Sequence, residues 1–379
     1  MAASQAALYE ELGTVDLALS WSEAELPERE RTKHVHRLHP YLGKYVPQLV
    51  EALLERHVEP GGRVLDPFLG SGTTLVQCLE SGYDAVGVDI ASFNCLLASV
   101  KTSRAPLAML RHELLSAHER MQAYQLSGEL PIATPAYARE WFAPAAAEEL
   151  LAFREMIGTS AASDVLRVVL ARAARSARRT THFDLDFPRA PQIDPYWCHK
   201  HKRQCRPVES ARRFLLRYTL DTLERIEAFA GVRGAHRAVV VHDDSRDVDL
   251  SAHGPFDGVI TSPPYPGLID YHEQHRYAYE LLGLDQRRDR ELGRPASGTS
   301  RGALADYVDG IAAVLRNAAG ALLPGAPLCI VVNDRRGLYP AILRQAGLEL
   351  VDRYERHVNR RTGRRSGEYF ESILVARPA

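Results

Sequence analysis

Three short stretches of this chain combine residue types that can do chemistry. The first is Asp66-Pro67-Phe68-Leu69-Gly70-Ser71-Gly72-Thr73-Thr74, set between an apolar RVLD run and a helical pattern. Glycines let a backbone approach a ligand closely, and a helix start turns amide groups toward it. A phosphate-gripping loop needs Gly-Lys-Ser/Thr at its end, but Gly72 is followed by Thr73-Thr74; a dinucleotide fingerprint needs a third glycine where Leu75 stands. What is left is an acid at a strand end (Asp66), a small-residue loop, and a second acid, Asp89, closing the run AVGVD. Asp89 suits a ribose diol, and Asp66 sits where it can meet a cationic ammonium. A ligand with both groups and no phosphate fits S-adenosylmethionine. A structural glycine turn is the competing reading of the loop taken alone.

The second stretch is Thr261-Ser262-Pro263-Pro264-Tyr265, which follows the apolar run GVI. Two prolines stiffen the turn and remove two N–H donors. The carbonyls of Ser262 and Pro263 become fixed acceptors, Ser262 adds a hydroxyl, and Tyr265 offers a flat π-face. Such a site suits an exocyclic amine on a planar base. The third stretch holds Cys198, His199, His201 and Cys205. All four fall within eight residues and no CxxC pair is present, so a polar loop is expected there and no bound metal.

These groups need elements to position them. YVPQLVEALLERHV has apolar residues at helical spacing with Pro47 near its start. RVLD, the glycine loop, the helix LVQCLESG and AVGVD then form one βαβ unit with a right-handed crossover. From about residue 104 to 235 the pattern turns helical and rich in Ala, Leu and Arg. The α/β pattern resumes with RAVVVHDD, FDGVITSPPY, a helix in DYHEQHRYAYELLG, the long helix ALADYVDGIAAVLRNAAGALL, PLCIVVNDR and a short helix in GLYPAILRQAG. LELVDRYERHV and YFESILVAR close the chain as an antiparallel hairpin. Seven strands are predicted, interrupted by a helical insertion.

Composition sets outer bounds. The 379 residues are 45% hydrophobic and 25% charged, an ordinary globular mix with room for two to three domains. No apolar run of about 18 residues exists, so no membrane helix is expected. The first residues lack a basic patch followed by an apolar run, so no signal peptide is expected. Five scattered cysteines fit a reducing cytosol. The net charge of −1 conceals a local excess: Arg172 to Arg217 holds twelve Lys/Arg against four Asp/Glu.

LDPFLGSGTT, then GVD, then TSPPY resembles the amino-group DNA methyltransferases that use S-adenosylmethionine. HPYLGKYVPQLVEALL resembles their cofactor-flanking motif, and HDDSR the motif whose acid meets the adenine amine. The resemblance covers roughly residues 33–101 and 236–377. It implies an α/β, Rossmann-like seven-stranded methyltransferase sheet with the last strand antiparallel. Residues 1–103 and 236–379 would be the catalytic domain, and 104–235 a basic helical insertion. By resemblance, Asp66, Phe68, Gly70, Gly72 and Thr73 would cradle the methionine part of the cofactor. Asp89 would hold the ribose, with Ile90 near the adenine. Asp244 would meet the adenine amine, with Asp243 as the adjacent competitor. Tyr45 and Lys44 would close the site. Ser262, Pro263, Pro264 and Tyr265 would form the target-amine pocket. A leading Ser, as in SPPY, is associated in this family mainly with the N4 amine of cytosine.

The expected activity is site-specific cytosine-N4 methylation of double-stranded DNA by direct in-line displacement after base flipping. The alternatives are adenine-N6 methylation, RNA guanine-N2 methylation on the same scaffold, and a DNA-binding module that has lost catalysis. No cysteine stands in a Pro-Cys setting, which argues against carbon-5 chemistry. Family groupings put target recognition after the HDDSR strand or at the chain end, so assigning it to the insertion rests on residues alone. Arg175, Arg178, Arg179, Lys200, Lys202 and Arg203, interleaved with Phe183, Phe187, Tyr196 and Trp197, can grip phosphates and stack bases. Arg360 and Arg361 in the closing hairpin are a second phosphate candidate; a helical lid or dimer surface is the bland reading of the insertion. The reading implies a cytoplasmic, nucleoid-associated enzyme of a bacterium or archaeon. A cognate restriction endonuclease is the partner if it serves restriction–modification. Oligomeric state stays open.

Overall fold

The computed structural model describes residues 16–179, 190–198, 201–358 and 369–379. Lys200, Arg360, Arg361, Phe183, Phe187 and His199, named above, lie outside them. Seven strands form one sheet: β1 (Arg63–Asp66), β2 (Asp84–Asp89), β3 (Ala238–His242), β4 (Gly258–Thr261), β5 (Leu328–Val332), β6 (Leu348–His357) and β7 (Phe370–Pro378). Their spatial order is β3-β2-β1-β4-β5-β7-β6. The first five pair in parallel, and β7 runs antiparallel to both β5 and β6. The expected sheet, including its one reversed strand, is therefore present.

After a first helical turn at Glu28–Arg31, the α-helices among the described residues are α1 (Pro47–His57), α2 (Thr73–Ser81), α3 (Ser92–Thr102), α4 (Leu107–Ala123), α5 (Ala136–Trp141), α6 (Pro144–Ile157), α7 (Ser163–Ala177), α8 (Arg212–Ala230), α9 (Tyr271–Gln274), α10 (Arg276–Leu282), α11 (Arg301–Gly320) and α12 (Tyr339–Ala346). Among the described residues no helix is long and apolar enough to cross a membrane.

The chain forms two compact units. The sheet unit holds the described residues up to Thr102, Val232–Asp270, and those from Arg287 onward. Its central strands β4 and β5 read as unbroken buried runs because both faces are covered. Leu65, Val259 and Ile330 point to one side, into a cluster with Ile311 and Leu315 of α11 and Ile342 of α12. Their neighbours Val64, Ile260 and Val331 point to the other, against Leu49 and Leu53 of α1 and Leu75 of α2. The alternation locks the register, since a one-residue slip would exchange the two cores.

The helical unit holds Ser103–Gly231 and also Tyr271–Gln286. The sequence pattern alone places the latter segment with the catalytic residues 236–379. It groups with the helices because Tyr277 on α10 is fully buried, with the Arg178 guanidinium 4.8 Å from its ring centroid. Within this unit Arg172 of α7 is buried, hydrogen-bonded to Asp221 and Thr222 of α8.

Candidate active site

β1 and β4 lie side by side at the point where the strand order reverses. The crevice at the carboxyl ends of such strands is where open α/β sheets bind ligands. β1 ends on Asp66, only 2% exposed. Its Oδ1 accepts from the Thr261 hydroxyl at 2.6 Å and the Phe68 amide at 3.1 Å, and its Oδ2 from the Thr74 hydroxyl at 2.6 Å. Thr74 has spent its only proton there, so the Tyr45 hydroxyl is the donor in the short bond between Tyr45 and Thr74. Burial pushes the Asp66 carboxyl up from its ordinary range, and these bonds oppose the rise. Thr74 and Thr261 were not singled out from sequence, although both stand inside the quoted motifs.

The glycine loop turns at Gly70 and Gly72, with φ of 50° and 78°. A side chain at Gly72 would place its Cβ 2.9 Å from that of Ala98, so loop and α3 pack backbone to side chain. The Gly70 amide donates to Asp89 Oδ2 at 2.7 Å. Asp89 also accepts from the Ala91 amide at 2.8 Å and Asn94 Nδ2 at 3.1 Å. Burial pushes its carboxyl up to about 6 against those bonds. Asn94 also donates to the Tyr41 hydroxyl at 3.2 Å, which ties HPY to the loop. Phe68 packs on the core beside the loop, Thr73 is buried at the start of α2, and Ile90 is half-buried with its carbonyl 3.1 Å from His242 Nε2. Beneath the loop Lys101 is buried and donates to the Ser71 carbonyl at 2.6 Å. Burial drives its ammonium well below the usual lysine range.

β4 delivers the proline motif next to Asp66. The Ser262 hydroxyl donates to the Val331 carbonyl of β5 at 2.9 Å, and the Pro264 carbonyl accepts from the Tyr307 hydroxyl at 2.8 Å. Pro263 is buried, while Ser262, Pro264 and Tyr265 are half-buried. The Ser262 proton is thus directed into the sheet, which leaves its oxygen in the role of acceptor.

β3 pairs with β2 so that His242 lies opposite Asp89, and the acids follow. Asp244 is clamped: Arg246 reaches its Oδ1 through Nε at 2.9 Å and its Oδ2 through Nη2 at 2.5 Å, and Arg290 reaches Oδ2 at 3.0 Å. Hydrogen bonds from Arg246, followed by its charge and that of Arg290, hold the Asp244 carboxyl below its usual range despite burial. Asp243 is exposed, its Oδ1 accepting from the Asp244 amide at 2.8 Å. Arg246 closes the HDDSR motif itself, so the clamp had a local signal.

In the helical unit Arg178, grouped from sequence with the phosphate contacts, is a core residue, 3% exposed. Arg175 and Arg179 are half-buried, and Lys202 and Arg203 are exposed. The expected polar loop instead contains a small hairpin, Tyr196–Cys198 paired with Arg203–Cys205.

The residues fit S-adenosylmethionine by the chemistry of their donors. A strand-end carboxylate on β2 stands over a left-handed loop, an exposed acid ends β3, and an acceptor turn ends β4. With the sheet order and the reversed β7, they define an S-adenosylmethionine-dependent methyltransferase, and S-adenosylmethionine is its cofactor. The family model for DNA methylases that act on N6 and N4 amines matches residues 9–99. The chain is 36% identical to type II methyltransferase M.MjaII of Methanocaldococcus jannaschii, over 92% of this chain and 81% of that protein. It is 23% identical to type II methyltransferase M.BsoBI of Geobacillus stearothermophilus, over 70% of this chain and 56% of that one. Among solved structures, the rRNA methyltransferase aviRa of Streptomyces viridochromogenes aligns with a TM-score of 0.37 at 13% identity, over 89% of this chain and 88% of that one. The chain belongs to the N6/N4 amino-methyltransferase family of DNA methylases.

Proposed function

We propose that this enzyme methylates the N4 amine of cytosine at specific sites in duplex DNA. The observation that carries the reading is Ser262 at the head of Pro263-Pro264-Tyr265, its hydroxyl proton committed to Val331 and its oxygen left to accept. Cytosine N4 carries two N–H groups. Ser262 Oγ and the Pro263 carbonyl take them, and Tyr265 stacks on the ring of a base flipped from the duplex. S-adenosylmethionine supplies a methyl group on a cationic sulfur. Asp89 holds the ribose hydroxyls, and Phe68, Gly70, Gly72 and Thr73 line the methionine side. Asp66 acts through its threonines to fix the loop against the proline turn. Asp243 rather than the clamped Asp244 meets the adenine amine, beside Ile90.

Bound there, S-adenosylmethionine would give up its methyl group, as a thioether product, to the amine lone pair that Ser262 and Pro263 orient, and positioning would supply most of the rate. The amine proton lost in the transfer would pass by the acceptors at Ser262 and Pro263 to solvent. Residues 104–235 take the role of DNA grip through Arg175, Arg179, Lys202 and Arg203, and a restriction endonuclease of the same specificity is the natural partner.

Ser262→Ala tests the pocket. The turnover rate should fall at least tenfold while cofactor affinity holds, since only the amine loses an acceptor. An unchanged rate would remove Ser262 from the reaction.

A further inference from the structure

The hairpin in the helical unit gathers three metal-ligand side chains. Tyr196 pairs with Cys205, Trp197 with Gln204, and Cys198 with Arg203. Side chains alternate along a strand, so Cys198 shares a face with Tyr196 and therefore with Cys205. Lys202 adopts a φ of 50° in the connecting turn. His201 comes back over the same face, its Nδ1 3.4 Å from Cys205 Sγ. One donor atom each from Cys198, His201 and Cys205 lie within 4.8 Å of one another. Cys198 is 3% exposed, and none of the five cysteines is in a disulfide.

We propose that Cys198, His201 and Cys205 bind a zinc-class divalent ion. Two sulfurs and an imidazole are a soft donor set suited to tetrahedral zinc. At bond lengths of about 2.3 Å to sulfur and 2.0 Å to nitrogen, tetrahedral donors stand roughly 3.5–4 Å apart. Small side-chain rotations close the observed spacing to that. Three protein donors leave one position for water or another ligand. The ion has structural work to do, because a two-stranded hairpin with three-residue strands is marginal by itself. Its other face carries Trp197, 53% exposed, and Gln204, and the ion would hold that face rigid. The second histidine-containing cluster, His34, His36 and Glu80, is poorer, since Lys33 sits 2.5 Å from Glu80 and its charge opposes a cation.

The full chain, prepared under reducing conditions without chelator, would be assayed for metal by mass spectrometry and titrated with cobalt. The site predicts one zinc per chain and a thiolate-to-cobalt charge-transfer band, both lost in Cys198→Ser and in Cys205→Ser. Calorimetry with S-adenosylhomocysteine would show that the variants keep a folded sheet unit. If the variants do not fold, zinc release on thiol blocking of the wild-type chain decides in the same direction. No stoichiometric binding of zinc or cobalt by the reduced wild-type chain would overturn the site. So would binding untouched by both substitutions, or a Cys198–Cys205 disulfide that survives reduction.

Discussion

Thr261 donates its hydroxyl to Asp66 at 2.6 Å, joining the proline turn to the glycine loop across 195 positions of sequence. The two motifs are thus one hydrogen-bonded unit at the carboxyl ends of β1 and β4. Thr261→Val keeps the shape and removes the donor. The buried Asp66 carboxylate then loses compensation worth about 1–3 kcal/mol. The melting temperature should fall, and both cofactor affinity and turnover should drop together. A variant with wild-type melting and kinetics would show that the bond holds nothing in place.

Asp89 sets a pH dependence. Its folded carboxyl lies near 6, above the ordinary aspartate value, so the fold favours the protonated acid. Its contribution to stability therefore declines as pH rises from about 4 toward 6. Under the proposed ribose role of Asp89, cofactor binding runs the other way, since ribose hydroxyls donate best to the ionised carboxylate. Affinity should tighten between pH 5 and 7, and Asp89→Asn should be weak and flat across that range. Calorimetric titrations at several pH values check this.

Lys44 has the opposite sign. Burial, with the nearby Arg37 charge, lowers its ammonium to about 8, while its amine donates to the His36 carbonyl at 2.7 Å. The unfolded chain binds that proton more tightly, so the wild-type protein should gain stability from pH 8 to 10 relative to Lys44→Met. Parallel melting curves for the two proteins would contradict the assignment.

Exposed and buried basic side chains of the insertion should behave differently. Lys202→Ala or Arg203→Ala should lower the slope of log affinity against log salt by up to about 0.9 for each phosphate left unneutralised. Arg178→Ala should leave that slope alone and cost about 2 kcal/mol, because its guanidinium stacks on buried Tyr277. A salt slope that falls in Arg178→Ala would reverse this division.

The parallel part of the sheet was legible because its strands are short apolar runs closed by acids, glycines or prolines: RVLD spans β1 to the residue, and AVGVD lies within β2. The helices followed from apolar spacing. Three things were not legible. Arg178 and Arg203 look alike in sequence, and only tertiary packing against Tyr277 separates core from surface. Tyr271–Gln286 follows the proline motif directly, yet its burial partners come from the insertion. The strands around Cys198 and Cys205 are three residues each, too short to show alternation. At the site, Asp66 and Asp89 stood out as strand-end acids. The near arm of the clamp on Asp244, Arg246, stands in the HDDSR motif itself, while Arg290 comes from far along the chain.

The chemistry at Ser262 is read most directly from the methylated product. Labelled S-adenosylmethionine would be supplied with unmethylated genomic DNA and, separately, bulk transfer RNA, and the product nucleosides resolved by mass spectrometry. N4-methylcytosine in DNA, lost in Ser262→Ala, is the expected product. N6-methyladenine, or label found only in RNA, would contradict it.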